Sequence, residues 1–152
     1  MKQWLMKSEP DVFSIADLKK KGSVPWDGVR NYTARNFMRD QMKKGDKIFF
    51  YHSSCPEPGI AGLARVIKES QPDPTQFDPK SKYFDPKATP TQPRWFLVEV
   101  AYEKTAKKVI PLEWLKEIPA LKNMALIRFG RLSVQPVTAS EWSLIMKLKG
   151  YW

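Results

Sequence analysis

Two short segments carry most of the side chains in this chain that can do chemistry. The first is His52-Ser53-Ser54-Cys55, which holds its lone histidine and lone cysteine. A Cys-His nucleophilic pair needs the imidazole within hydrogen-bond reach of the sulfur and a further group to orient it. Residues three apart near a strand end can meet, but nothing else in the sequence supplies the orienting group. A histidine that bonds locally beside a small buried thiol is the simpler reading. Glu9, in Lys7-Ser8-Glu9-Pro10, is the other acid-base candidate for an enzyme acting on nucleotides. One histidine and one cysteine cannot fill a four-ligand zinc site without carboxylates that the sequence does not place. No Walker or dinucleotide-type glycine loop is present. No metal or cofactor is therefore expected.

The second segment, WDGVRNYTARNFMR (Trp26 to Arg39), supports binding better. Trp26 beside Gly28 can wall a pocket, since glycine leaves the backbone bare, or it can be core. Asn31 offers a donor and an acceptor to a base edge, or caps the helix that follows, which local logic favours. Arg30, Arg35 and Arg39 can meet phosphates bidentately, or simply line an exposed helix face. Lys7, Ser8 and Glu9 put a cation, a hydroxyl and a carboxylate at the end of a first strand, where sites commonly form. Together these residues read as an aromatic-walled pocket with a basic rim. Such a pocket suits a base taken out of its stack: an aromatic ring stacks on it, amides read its edge, and cations hold its backbone.

The elements that must position these residues follow from periodicity and breakers. Lys2 to Lys7 reads as a strand. Ser14 with Asp17 resembles a capping box for a short helix with Ile15 and Leu18 inward, ended by Gly22. Lys19, Lys20 and Lys21 in its last turn favour the helix dipole. Pro25 to Gly28 is a turn. Tyr32 to about Met42 is a helix with Ala34, Phe37, Met38 and Met42 near one face. Asp46 to Ser53 and Ile60 to Glu69 are apolar strands, with Gly59 and Gly62 allowing close approach. Gln71 to Pro93 holds six prolines with Phe77, Tyr83 and Phe84 between them. It is expected to be a packed, non-regular loop. Arg94 to Lys104 alternates as a strand that Val109-Ile110 can continue. Short helices are expected at Pro111 to Lys116 and Leu121 to Leu126, an extended segment at Arg131 to Val137, and a final helix capped by Thr138 and Glu141. The fold class expected is a compact α+β domain on a curved or barrel-like sheet.

The bulk composition agrees. The 152 residues suit one domain, and 26 Lys plus Arg against 16 Asp plus Glu give a net charge of +10. That excess points to anionic partners, nucleic acid first. No apolar run is long enough to span a bilayer, so no membrane is expected. MKQWLMKSEP is too short in apolar residues, and broken by Lys7, to read as a signal peptide. A single cysteine fits a reducing compartment, so the expected setting is cytoplasmic.

Several motifs carry a family resemblance: WLMKSEPDVFSI, WDGVRNYTARNFMR, FFYHSSC followed by PGIAGLARV, QPDPTQFDP, YFDPKA, PRWFLVEV and RLSVQPVTASEW. In order and along nearly the whole chain, residues 1–152, they resemble an EVE domain. The resemblance implies a PUA-like fold, a small mixed barrel-like sheet flanked by short helices. EVE domains in turn resemble YTH domains, which read methylated adenine in RNA through an aromatic cage. What the resemblance implies is a non-catalytic reader of a modified base, cytosine or adenine, in DNA or RNA; a monomer is expected, though the sequence itself does not fix the oligomeric state. Carried over by motif, its pocket takes Lys7, Ser8, Trp26, Asn31, Tyr51, His52 and Ser53, with Arg131, Leu132, Ser133 and Val134 close by. Tyr51 alternates with Phe50, so only one of the two is expected to face it. The alternatives are an accessory domain for structured RNA, or a nucleotide-modifying enzyme built on His52 and Cys55.

Overall fold

The structure, a computed structural model, describes residues 1–152. A six-stranded sheet in the order β2-β5-β4-β3-β1-β6 organises the chain. Its strands are β1 (Gln3–Ser8), β2 (Ser23–Pro25), β3 (Lys47–His52), β4 (Gly59–Pro72), β5 (Phe96–Pro111) and β6 (Val134–Val137). β1 and β3 run parallel, with Met6 opposite Phe50 and Ser8 opposite His52. All other neighbours are antiparallel. A parallel pair needs a long crossover. Here it carries α1 (Ile15–Lys21), β2 and α2 (Tyr32–Asn36). No helix is long and apolar enough to cross a membrane.

Period-two alternation sorts the sheet's side chains into two cores. Trp4, Met6, Ile48 and Phe50 enter one, beneath α1 and α2. Leu5, Phe49 and Tyr51 enter the other, with Leu115 of α3 (Leu112–Glu117), Leu126 of α4 (Ala125–Arg128) and Ile145 of α5 (Ala139–Met146). Burial on both faces explains why β3 reads as a nearly unbroken apolar run. The start of the sheet is fixed by buried Asp46. It accepts hydrogen bonds from Trp4 Nε1 at 2.9 Å, Lys2 N at 3.0 Å and Lys43 N at 2.9 Å.

The capping readings hold at both ends. Ser14 and Asp17 form a reciprocal box at α1, which stops at Gly22. Thr138 and Glu141 do the same at α5. The expected helix from Tyr32 to Met42 is α-helical only to Asn36. It then widens into a π-helical turn, Phe37–Gln41, closed by Met42 N to Phe37 O at 2.9 Å. Met38 and Met42 are both buried.

Two strands run longer than expected. β4 continues through Pro72, and β5 takes in Val109 and Ile110 to reach Pro111. Their pairing shifts register at four places, each a bulge that bends the ladder. This gives the sheet its curvature, while edge strands β2 and β6 stay unpaired with each other. The proline-rich segment contains a 3₁₀ turn, Pro74–Phe77. Its Gln76 is fully buried, accepting from Arg94 N and Trp95 N and donating to Trp95 O. The expected helix over Leu121 to Leu126 is instead a 3₁₀ turn, Pro119–Leu121, followed by α4.

At Gly62 the β4 backbone passes under α1 with no room for a side chain. A Cβ there would meet the Lys104 carbonyl and lie 2.7 Å from Ile15 Cγ1. Gly62→Ala is expected to destabilise the fold by about 1–3 kcal/mol through overpacking. Urea unfolding would read this as a lower midpoint at unchanged slope.

Candidate functional site

A cavity of about 970 Å³ opens where β1 and β3 end and β6 begins. Its walls come chiefly from five stretches: Lys7 to Glu9 with Val12 and Phe13, Val24 to Arg30, Tyr51 with Ser53 and Ser54, Tyr83, and Gly130, Arg131 and Ser133; Lys21, Pro58, Leu112 and Leu126 complete them. Lying at strand ends, it meets residues from both faces of the sheet. Trp26 belongs to one core and Tyr51 to the other, yet both line it.

Trp26 is only 9% exposed, but the void lies against it. Its backbone N–H is fixed to Val98 O at 2.9 Å. Its ring meets Phe50 at 5.6 Å and Phe13 at 6.4 Å, both at nearly right angles. Phe50 thus supports the indole from beneath, and Tyr51 is the member of the alternating pair that reaches the cavity. Burial pushes the Tyr51 hydroxyl up to about 12, with the nearby Cys55 adding to the effect, so it stays protonated. Lys7 Nζ donates to Gly130 O at 2.6 Å and lies 5.6 Å from the Tyr51 ring centre. Burial pulls its pKa down. Ser8 Oγ donates to Phe13 O at 2.6 Å, leaving its lone pairs as acceptors.

Several expected site residues lie elsewhere. Asn31 is exposed and caps α2, accepting from Ala34 N at 3.0 Å. It is not part of the cavity wall. His52 Nε2 accepts from Ile15 N at 3.1 Å. That bond satisfies the first turn of α1 and fixes the proton on Nδ1. Burial lowers the His52 pKa, and His52 makes no hydrogen bond to Cys55. Val134 is fully buried opposite Met6, and Leu132 packs on the same core.

The three arginines divide. Arg30 reaches the cavity wall, but its guanidinium makes five internal hydrogen bonds, as many as it has N–H groups. The partners are Tyr83 O twice, Val29 O, Thr75 Oγ1 and buried Asp73 Oδ2. This corrects the reading of Arg30 as a phosphate contact: it is a structural clamp. Arg35 donates to Arg94 O at 2.7 Å and lies 4.8 Å from the Tyr32 ring centre. Exposed Arg39 pairs with Asp40 at 2.8 Å. Arg35 sits on α2 and Arg39 on the π-helical turn after it, both outside the cavity.

Asp27, Phe13, Ser54 and Tyr83 line the cavity without having been singled out. Ser54 holds φ at +52°, a left-handed conformation uncommon outside glycine and a usual mark of sites. Burial, and then the charge of Asp73, raise the Asp27 pKa. Asp27 had read as a plain turn residue. Tyr83 carried a weak signal, an aromatic among prolines, but no spacing tied it to Trp26.

The EVE domain profile matches residues 2–148. The chain belongs to the EVE domain family. Thymocyte nuclear protein 1 of Danio rerio is 46% identical over 97% of this chain and 71% of its own length. This EVE domain also superposes with TM-score 0.91 on a protein of Pseudomonas syringae, 52% identical, over 95% of this chain and 97% of that one. The human THYN1 protein, solved in complex with DNA containing 5-methylcytosine, superposes with TM-score 0.90 at 44% identity over 96% of each chain.

Buried Asp73 and cavity-lining Asp27 should respond oppositely to removal. For Asp73, burial pushes the carboxyl up, but hydrogen bonds from Thr75, Gly28 and Arg30 together hold it below its usual range. A lowered carboxyl pKa stabilises the fold above the unfolded value, about 3.9, and that stability is lost as pH falls through the folded value. Asp73→Asn is therefore expected to cost about 3 kcal/mol at pH 7. The deficit should shrink in urea unfolding below about pH 4. For Asp27 the raised pKa makes the ionised form unfavourable in the fold. Asp27→Asn should leave neutral-pH stability unchanged or higher, measured the same way.

Proposed function

We propose that this EVE domain binds nucleic acid and reads one modified base, with 5-methylcytosine in DNA the first candidate, in the cavity beside Trp26. The observation that carries the reading is a tryptophan ring, braced edge-on by two phenylalanines, lining an open hollow of drug-ligand size. The human relative's complex with 5-methylcytosine DNA supports the choice of base. The base enters unpaired, from a single strand or by flipping. The indole stacks on it, worth roughly 1–3 kcal/mol. Ser8 lone pairs, the Tyr51 hydroxyl and the two Lys7 N–H groups not bonded to Gly130 face the ring's edge. Exposed Arg131 and Lys21, at the cavity margin, Arg35 on α2 and Arg39 on the turn after it attract the phosphates.

The reading is non-catalytic. His52 is occupied as the acceptor for Ile15 N and lies outside the cavity wall, which weighs against the Cys-His alternative.

Fluorescence anisotropy with short single strands carrying cytosine or 5-methylcytosine at one position tests this at fixed salt. Wild type should prefer the modified strand. Trp26→Ala should remove most of that preference while general binding persists. Affinity should also fall steeply between 50 and 200 mM salt, as phosphate neutralisation requires. Equal affinity of the wild type for both strands would refute base reading. Tighter binding to structured RNA than to either strand would move the assignment to RNA shape.

A further inference from the structure

We propose that Tyr83 forms a second aromatic wall of the cavity, set in place by the Arg30–Asp73 ion pair, and that this wall contributes to base selectivity. The inference rests on the base-reading function above. Tyr83 comes from the proline-rich segment, more than fifty residues from Trp26 in sequence, yet lines the same cavity. Its ring lies directly on the Gly28 backbone: a Cβ at Gly28 would be 2.7 Å from Tyr83 Cε2 and Cζ. Gly28 also holds φ at +82°, so glycine is required there twice over. The ring is thus seated on the same turn that presents the indole.

Three anchors keep it there. Arg30 Nε and Nη2 both donate to the Tyr83 carbonyl, at 3.1 and 2.9 Å, and the guanidinium lies 5.4 Å from the ring centre. Arg30 is in turn held by Asp73, whose side chain is 0% exposed, at 3.0 Å. Asp73 closes the circuit by accepting from Gly28 N at 2.8 Å. One carboxylate therefore grips both the turn that carries Trp26 and the arginine that carries Tyr83. The Tyr83 hydroxyl makes no hydrogen bond within the protein, and Lys82 Nζ lies 5.0 Å from the ring centre, a second cation on the ring beside the cavity. An aromatic face in a cavity already walled by indole is the usual means of holding a base between rings.

Tyr83 is a contact residue in this scheme and Arg30 a positioning residue. Wild type, Tyr83→Leu and Tyr83→Phe would be compared on the two oligonucleotides above, each variant first shown to unfold cooperatively. Leucine preserves apolar cover over Gly28 without an aromatic face. Tyr83→Leu should weaken binding to the 5-methylcytosine strand by at least roughly fivefold, the low end for one stacked base, and leave the unmodified strand nearly unaffected. Tyr83→Phe should retain most of the preference. Arg30→Lys keeps the charge but cannot make five bonds. It should lower the preference while the slope of log affinity against log salt stays constant. Arg30→Gln should also leave that slope constant, whereas a phosphate contact would lower its magnitude by about one. A wild-type preference that survives Tyr83→Leu would overturn this proposal and leave the Trp26 reading standing. Loss of affinity for both strands alike would overturn it too. A wild type without preference would refute the base-reading function itself, and this inference with it.

Discussion

The buried carboxylate of Asp73 is the constraint on which the cavity depends. A carboxylate removed from water is unfavourable unless charge and hydrogen bonds surround it. Asp73 has both: Arg30, Thr75 through backbone and hydroxyl, and the Gly28 amide. Gly28 and Arg30 belong to a turn with no regular structure of its own, and Thr75 to a single 3₁₀ turn. The turn after β2 and the loop after β4 are locked to one another by this shared anion and by the bonds Arg30 makes directly to Thr75 and Tyr83. Geometry at the site is therefore set by a polar requirement, while the sheet beneath it is set by apolar burial.

That division explains where the cavity sits. The parallel β1–β3 pair is buried on both faces, so nothing can bind against its middle. At the ends of the strands the two cores part, and loops have to cover what the sheet does not. Lys7 reaches across to Gly130, and Gln135 Nε2 donates to Phe129 O and Leu132 O, which fixes the loop before β6. Ser8 ties β1 to Phe13. The loops are held at their roots by these bonds, and the hollow between them persists because each is anchored away from its neighbour.

Much of this was legible in sequence where the signal is local. The capping boxes at Ser14 and Thr138, the stop at Gly22, and Asn31 as a cap depend on neighbours three residues apart, and all are seen. Family motifs were also legible, since they cover nearly the whole chain. The π-helical turn at Phe37 was not, because the same apolar spacing also fits an unbroken α-helix. The length of β5 was hidden by Lys107 and Lys108, two successive exposed residues that break the apolar alternation within the strand. At the site, type was easier to read than direction. Arg30 has the right chemistry for phosphate, but a buried carboxylate forty-three residues away claims it. His52 has the right chemistry for a ligand edge, but a helix start claims it.

The electrostatics of the hollow then narrow what it can hold. Desolvation leads each of three shifts: it pulls Lys7 down, raises Asp27, and keeps Tyr51 protonated with a value of about 12. All three move toward the uncharged form. These groups favour a neutral guest edge beside them, while the cations of Lys21 and Arg131 stand exposed at the margin. The net charge of +10 acts instead over the outer surface, where water screens but does not exclude it. A ligand that is neutral where it enters and anionic where it stays outside satisfies both conditions, and a nucleobase on its own backbone has that distribution of charge.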